Sequence, residues 1–205
     1  MFQFATGVKI SKPEEIIEGY QLFDEIIRAN ISFEHLSLII EEFYASIEEP
    51  MFLAIHCPLV QSEEEKIKSV SKNMHDEVLY LDGCTRLQIE NIFQTYGNLL
   101  LNDGMSQFAI ASHKTGDEIF IRKYKLVDFL GENRLNFIPL LEKYGIVETK
   151  NLKTAWDTFT HDTPGECTRI YIDGKDIYDV VSELKEKGLY SAKIVETNYR
   201  FSTFP

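Results

Sequence analysis

A β-hairpin pattern near the middle of the chain is the feature that most restricts the fold. Two apolar-rich segments, Gln107–Ser112 and Glu118–Lys123, flank residues 113–117, which have the composition of a tight turn. Lys125–Phe129 extends the pattern to a third strand. Strands joined by so few residues pair antiparallel, because a parallel pair needs a long crossover. The sequence therefore predicts a mostly antiparallel sheet.

Other segments add strands to this prediction. Met51–Leu59 is apolar except for His56, which is typical of a short buried strand. A further strand is predicted at Glu77–Leu81. The C-terminal part has a β–α–β pattern, with strands expected at Thr168–Asp173 and Tyr190–Glu196.

The N-terminal part predicts two helices. Ser11 is followed three residues later by Glu14, which is the spacing of a capping box. The apolar residues after it recur at helical spacing, and Ser32 is placed to cap a second helix. Because only two or three residues connect them, these two helices are expected to form an antiparallel helical hairpin that ends at Pro50. The apolar residues of the first helix are Ile16, Tyr20, Phe23 and Ile27.

Capping residues and helical spacing predict four more helices, beginning near Ser62, Thr85, Asn136 and Ile177. Mixed strands and helices without strict alternation indicate an α+β fold, with helices packed on a mostly antiparallel sheet and an N-terminal helical hairpin. We expect a single domain over residues 1–205, with residues 1–50 as a possible subdomain.

Composition limits the class of protein. Of 205 residues, 44% are hydrophobic, which is enough for a substantial core. The N-terminus has no basic region followed by a long apolar stretch, and no uncharged run approaches the ~18 residues of a membrane span. The three cysteines are odd in number and widely spaced, which favours reduced thiols. We therefore expect a soluble cytoplasmic protein that has no contact with a membrane.

Charge is unevenly distributed along the chain. The net charge is −12, and residues 1–66 hold 13 acidic residues against 4 basic ones, a balance of −9. Such a chain repels phosphate backbones, which argues against nucleic-acid binding. The acidic end of the second predicted helix instead suggests a basic protein partner, although such faces often serve solubility only. The candidate partner-binding residues are Glu41, Glu42, Glu48 and Glu49.

No catalytic motif is present. The sequence contains no phosphate-binding glycine loop, no HExxH, no CxxC and no GxSxG pattern. We therefore expect no cofactor and favour a binding protein over an enzyme.

The segment Trp156–Cys167 is the best alternative site. It concentrates polar and aromatic residues in an irregular stretch, where functional residues often occur. His161 with Asp157 or Asp162 is suited to act as a general base or to bind a divalent ion. The same residues also suit a plain surface turn, because Asp162 can cap its own backbone.

Two weaker patterns contain histidine. His113 lies beside acidic residues in the predicted hairpin turn, where turn formation explains the composition equally well. His56 and Cys57 suggest a nucleophile with its base. Adjacent strand residues point to opposite faces, however, so we expect these two side chains not to meet.

Three functions remain open at this point. The leading hypothesis is an acidic intracellular protein that binds and masks a basic protein partner, with a bacterial toxin-neutralising (immunity-type) protein as its specific form. The alternative is an enzyme or a small-molecule- or metal-binding protein with its site at residues 156–167. The third is a subunit of a larger assembly, docked through the apolar end Tyr199–Pro205.

Overall fold

The computed structural model describes residues 2–67 and 74–197. The strands are β1 (Val8–Lys9), β2 (Gly19–Leu22), β3 (Ile26–Asn30), β4 (Met51–Pro58), β5 (His75–Cys84), β6 (Gln107–Ser112), β7 (Glu118–Ile121), β8 (Leu126–Leu130), β9 (Glu166–Cys167) and β10 (Tyr190–Glu196). The α-helices are α1 (Phe33–Ser46), α2 (Gln61–Ile67), α3 (Arg86–Asn102), α4 (Ile138–Lys143) and α5 (Ile177–Lys185).

Eight strands form one sheet in the order β10-β5-β4-β6-β7-β8-β3-β2, and every neighbouring pair is antiparallel. β1 and β9 form a separate antiparallel pair. With helices packed against this sheet, the α+β class is confirmed. The predicted central hairpin and its third strand are also confirmed, as β6, β7 and β8.

Helices cover one face of the sheet. Along β4, Met51, Leu53 and Ile55 have no exposed surface and belong to the main apolar core, which also contains the buried faces of α1, α3, α4 and α5. Phe52 and His56 alternate with them and lie on the other face. The strand predicted in the apolar run Met51–Leu59 is confirmed as β4. The run is nearly continuous in apolar residues because the strand is largely buried on both faces.

The predicted N-terminal helical hairpin is wrong in its first half. Residues 19–30 form the β2–β3 hairpin, and only Pro13–Glu15 make a short 3-10 turn. In β3, Ile27 and Ala29 are fully buried, and Arg28 between them is partly exposed. This alternation is the periodicity of a strand. The pairing of β3 with β8 stabilises the strand conformation of these residues more than their local sequence favours a helix. The second helix is confirmed as α1.

The C-terminal prediction is partly confirmed. α5 and β10 form where expected, but Thr168–Asp173 is not a strand, and the two-residue β9 precedes it. The helix predicted after Ser62 is confirmed as α2, although its expected end near Lys72 lies outside the described residues. The apolar end Tyr199–Pro205 also lies outside them.

Capping chemistry is confirmed at α3. The Thr85 hydroxyl accepts the N–H of Gln88, and the Gln88 side chain accepts the N–H of Thr85 in return. Among the residues that the structure describes, no helix has the length and apolar character needed to cross a bilayer.

A three-way backbone junction fixes the segment that follows β9. Thr168 donates its N–H to Gly7 O at 2.8 Å, and Gly104 donates to Thr168 O at 3.0 Å. Gly7 donates to Asn102 O at 2.8 Å. A Cβ on Gly7 would lie 2.6 Å from Thr168 O, so a side chain would open the junction. The junction brings β9 beside the end of α3.

A buried carboxylate connects three strands on the uncovered face. Asp128 on β8 has no exposed surface and accepts two hydrogen bonds from Arg28 on β3, at 2.8 and 3.0 Å. Arg122, directly after β7, donates to the same carboxylate. A buried charge is tolerated when it is paired and hydrogen-bonded in this way.

Aromatic packing joins α1 to the sheet and to the 3-10 helix Arg134–Phe137, which directly precedes α4. Phe43 on α1 is fully buried, with its ring centroid 4.7 Å from that of Phe137 and 5.9 Å from that of Phe129 on β8. This cluster lies where the central strands meet the helical layer. Removing one ring would leave a cavity that the other two cannot fill.

We expect Phe43→Ala to lower the free energy of unfolding by about 3–5 kcal/mol, since it removes apolar burial and leaves a cavity. Urea denaturation followed by circular dichroism measures the change. Leu38→Ala, at an exposed position of the same helix, is the control and should stay within about 0.5 kcal/mol of wild type. Equal losses in the two variants would contradict this packing.

Candidate functional site

The turn between β7 and β8 has an unusual backbone. Tyr124 and Lys125 both have positive φ, at 58° and 57°. Neither is glycine or asparagine, so each conformation carries strain of order 1–3 kcal/mol. Arg122 N–H donates to Leu126 O at 2.8 Å and closes the turn. Paired strands on both sides hold the strained turn, and they direct Tyr124 toward residues 156–167.

Three aromatic rings meet at this turn. A 3-10 helix, Ala155–Thr158, is capped by Thr154 and presents Trp156. The centroid of the Tyr124 ring lies 4.8 Å from that of Trp156 and 4.8 Å from that of Phe159, while Trp156 and Phe159 are 5.6 Å apart. These are favourable distances for tilted and edge-to-face ring pairs. We call Tyr124, Trp156 and Phe159 the aromatic triad.

The aromatic triad borders a cavity of about 550 Å³, which we call the triad cavity. Gly165 closes one side of it. A Cβ on this residue would lie 2.7 Å from Tyr124 Cε1 and closer still to the Phe159 ring, so glycine is needed there. The remaining lining residues are Met105, Lys123, Thr160, His161, Pro164 and Cys167.

Two buried lysines lie beside the triad cavity. Lys123 lines it, is only 7% exposed, and donates from Nζ to the backbone oxygen of Met105. Lys125 donates from Nζ to Leu100 O at 2.9 Å. The nearby carboxylate of Asp103 is fully buried and accepts the N–H groups of Met105 at 3.0 Å and Ser106 at 2.7 Å.

Burial changes the acid–base properties of this region. The pKa of Lys125 falls to about 8, because burial disfavours the ammonium form, while Asp103 opposes this fall. The pKa of the Cys167 thiol is raised by burial, against the lowering effect of the Lys123 ammonium. Cys167 is therefore mostly a neutral thiol at pH 7 and not an activated nucleophile.

The three polar residues predicted at this loop do not form one cluster. The Asp157 carboxylate accepts the N–H and the hydroxyl of Thr154, at 2.7 and 2.8 Å. His161 Nδ1 and Asp162 Oδ1 are 3.4 Å apart, and both side chains are almost fully exposed. Within residues 2–67 and 74–197, no group of three His, Cys, Asp or Glu residues is arranged to hold a metal ion.

The four candidate glutamates do not form one cluster. Glu42 and Glu48 line a second cleft of about 600 Å³, between the end of α1, the β6–β7 turn and the start of α4. We call this the acidic cleft. Glu49 instead accepts the N–H of Arg86 at 2.7 Å. Glu41 is exposed and is not among the residues that line this cleft.

Ion pairs neutralise part of this acidic surface. Glu42 accepts from Lys143 Nζ at 2.7 Å, and Glu48 pairs with Lys114 at 2.7 Å. Hydrogen bonds from Lys143 and Tyr144 keep the pKa of the Glu42 carboxyl below its usual value. The acidic N-terminal third of the chain is thus partly matched by bases from later segments. The charge asymmetry is therefore smaller in space than along the sequence.

The two histidine patterns have structural explanations. His113 Nε2 lies 3.0 Å from Asp82 Oδ1 at the predicted hairpin turn. His56 packs on Phe120 with ring centroids 5.4 Å apart, on the sheet face opposite to the buried Cys57. The predicted separation of His56 and Cys57 is confirmed. Burial lowers the pKa of His56 to about 4, so it is neutral at pH 7.

Sequence reasoning missed Met105, Lys123 and Tyr124 as parts of the site. They are more than 30 positions away from Trp156 in the chain, and the fold alone brings them to it. One signal was available: Lys123 to Lys125 must turn the chain between two strands without glycine, asparagine or proline. That composition is unusual for a tight turn, and the positive φ values show the strain that results.

Comparison of the chain with protein-family models, with curated proteins and with solved structures found no match.

The lowered pKa of Lys125 predicts that the free energy of unfolding depends on pH. The unfolded chain keeps this proton up to about pH 10.5, whereas the folded chain releases it near pH 8. Between these values the unfolded state binds more protons, so the free energy of unfolding rises with pH, by at most about 1.4 kcal/mol per pH unit. We expect the stability of wild type relative to Lys125→Met to rise from pH 8 to pH 10.

Urea denaturation of both proteins at matched pH values provides the measurement. Lys150→Met, at an exposed position, is the control and should give a curve parallel to that of wild type. A constant difference between wild type and Lys125→Met would show that this ammonium is not destabilised by burial.

Proposed function

We propose that this protein is a small-molecule-binding protein whose site is the triad cavity, where the ligand places a planar apolar group against Tyr124, Trp156 and Phe159. One observation carries the proposal: a cavity of ligand size is walled by three rings that already pack against one another. The proposal develops the hypothesis of a binding site at residues 156–167.

The size and chemistry of the triad cavity support this proposal. Sites for small molecules usually measure about 300–1,000 Å³ and combine apolar walls with a few polar groups. About 550 Å³ falls within that range. The polar groups here are the Lys123 ammonium, the Cys167 thiol and the Thr160 hydroxyl. Aromatic rings provide large contact areas at low cost in conformational entropy.

The walls of the triad cavity are also preorganised for a ligand. Tyr124 is held by a turn between paired strands, and Trp156 by a capped 3-10 helix. Rings that are fixed in place lose little freedom on binding, which favours affinity. The strained turn gives independent support, because strain of this kind concentrates at ligand sites.

N-phenyl-1-naphthylamine, a neutral aromatic fluorophore, is a suitable first probe. Trp156 is the only tryptophan of the chain, so its emission reports directly on the triad cavity. We expect the probe to quench Trp156 emission in a saturable way. Phe159→Ala should weaken binding about tenfold or more, because it removes one wall of apolar contact.

Tyr171→Ala is the matched control, since Tyr171 is an exposed aromatic residue outside the triad cavity. Its affinity should equal that of wild type. Absence of quenching in wild type, or an equal loss in the two variants, would reject the triad cavity as the site.

The acidic cleft favours a second function, capture of a basic protein in the manner of bacterial toxin-neutralising (immunity) proteins. Glu42 and Glu48 face the same cleft, together with Asp117 of the β6–β7 connection. Their present partners, Lys143 and Lys114, are exposed lysines that cationic side chains of another protein can replace. Exchange of one exposed ion pair for another costs little.

For this second function we expect an octa-arginine peptide to bind the wild-type protein with an affinity that falls as salt increases. Changing Glu41, Glu42, Glu48 and Glu49 together to lysine should weaken binding about tenfold or more. Isothermal titration calorimetry at two salt concentrations measures both effects.

The control changes four other exposed glutamates to lysine, which keeps the net charge of the two variants equal. The control positions are Glu14, Glu63, Glu65 and Glu186. Equal weakening in both variants would show that binding depends on net charge alone and would remove the acidic cleft as a specific site.

A further inference from the structure

Lys123 gives the triad cavity a chemical preference beyond its aromatic walls. An ammonium group carries three N–H donors. For Lys123 Nζ the structure records one acceptor, the backbone oxygen of Met105, and no carboxylate among the described residues forms an ion pair with it. The residue is 7% exposed and lines the cavity, so water satisfies its remaining donors poorly.

The neighbouring charges leave this ammonium available. The buried carboxylate of Asp103, whose charge acts on Lys125, accepts backbone N–H groups from Met105, Ser106 and Ile170. Lys125, which is also buried in this turn, adds a second positive charge. Both ammonium groups lower the pKa of Cys167 against the effect of burial, so their field reaches the cavity wall.

The acidic side chains of residues 156–167 form no ion pair with Lys123 and are not among the residues that line the cavity. Each has another partner: Asp157 accepts from Thr154, Asp162 lies 3.4 Å from His161, and Glu166 accepts from Lys9 at 3.2 Å. Asp76, on the uncovered face of the sheet, also interacts with Lys123, but without an ion pair or hydrogen bond between them. An anion in the cavity would therefore gain a close buried ammonium partner.

We infer that the ligand of the triad cavity is an aromatic carboxylate, or a closely similar planar aromatic anion, whose ring lies against the aromatic triad and whose anionic group accepts from Lys123 Nζ. This inference rests on the proposed function, because it names the class of ligand for the same cavity. A charged hydrogen bond in a largely buried site is stronger than its neutral counterpart.

The test compares 2-naphthoate with 2-naphthamide, which share one shape and differ in charge. Isothermal titration calorimetry on the wild-type protein should give a dissociation constant about tenfold lower for the carboxylate. In Lys123→Gln, which keeps a donor for Met105 O, the two ligands should bind equally. The affinity for 2-naphthamide should change by less than about threefold.

Each outcome is decisive. Equal affinity of wild type for the two ligands overturns the inference, while binding of N-phenyl-1-naphthylamine leaves the proposed function standing. Binding of none of the three compounds overturns both. If Lys123→Gln fails to fold, the wild-type ratio still decides, and Lys123→Arg, which keeps the charge, should retain the preference for 2-naphthoate.

Discussion

The fold depends on covering one face of an eight-stranded antiparallel sheet with helices. A sheet of this width must bury its apolar face against another layer, and alternation along each strand decides which residues take part. In β4 the alternation places Leu53 and Ile55 under the helices. On the other face the buried Asp128 is stabilised by Arg28 and Arg122. Burial of apolar side chains thus stabilises one face of the sheet, and the ion pairs of Asp128 contribute on the other.

Local sequence signals predicted most elements of this sheet and its helices. The central hairpin, the buried strand β4 and the capping box of Thr85 each follow from chemistry that acts within a few residues. The helix predicted from Glu14 onward is wrong because Ile16, Tyr20 and Ile27 fit helical spacing, although Ile27 and Ala29 also fit strand spacing. Only the pairing of β3 with β8 settles that choice, and a distant strand is invisible to a local pattern.

The candidate site was predictable only in part, for the same reason. The segment 156–167 stood out by its composition, and it does border a cavity. The chemistry expected there was different, since Asp157 is occupied by Thr154 and does not join His161. Lys123 and Tyr124 come from a strand connection more than 30 positions away, so the combination of aromatic walls with a buried ammonium belongs to the tertiary structure. The acidic surface shows the same effect, because Lys143 and Lys114 pair with glutamates far from them in sequence.

The pairing of β3 with β8 also has a consequence for synthesis of the chain. Arg28 and Asp128 are 100 residues apart, so the β2–β3 hairpin leaves the ribosome long before its partner strand exists. At about 5–20 residues per second, that interval is roughly 5–20 s. During it the edge of β3 offers unpaired backbone groups to any other chain nearby. The N-terminal hairpin therefore joins the sheet late although it is translated early.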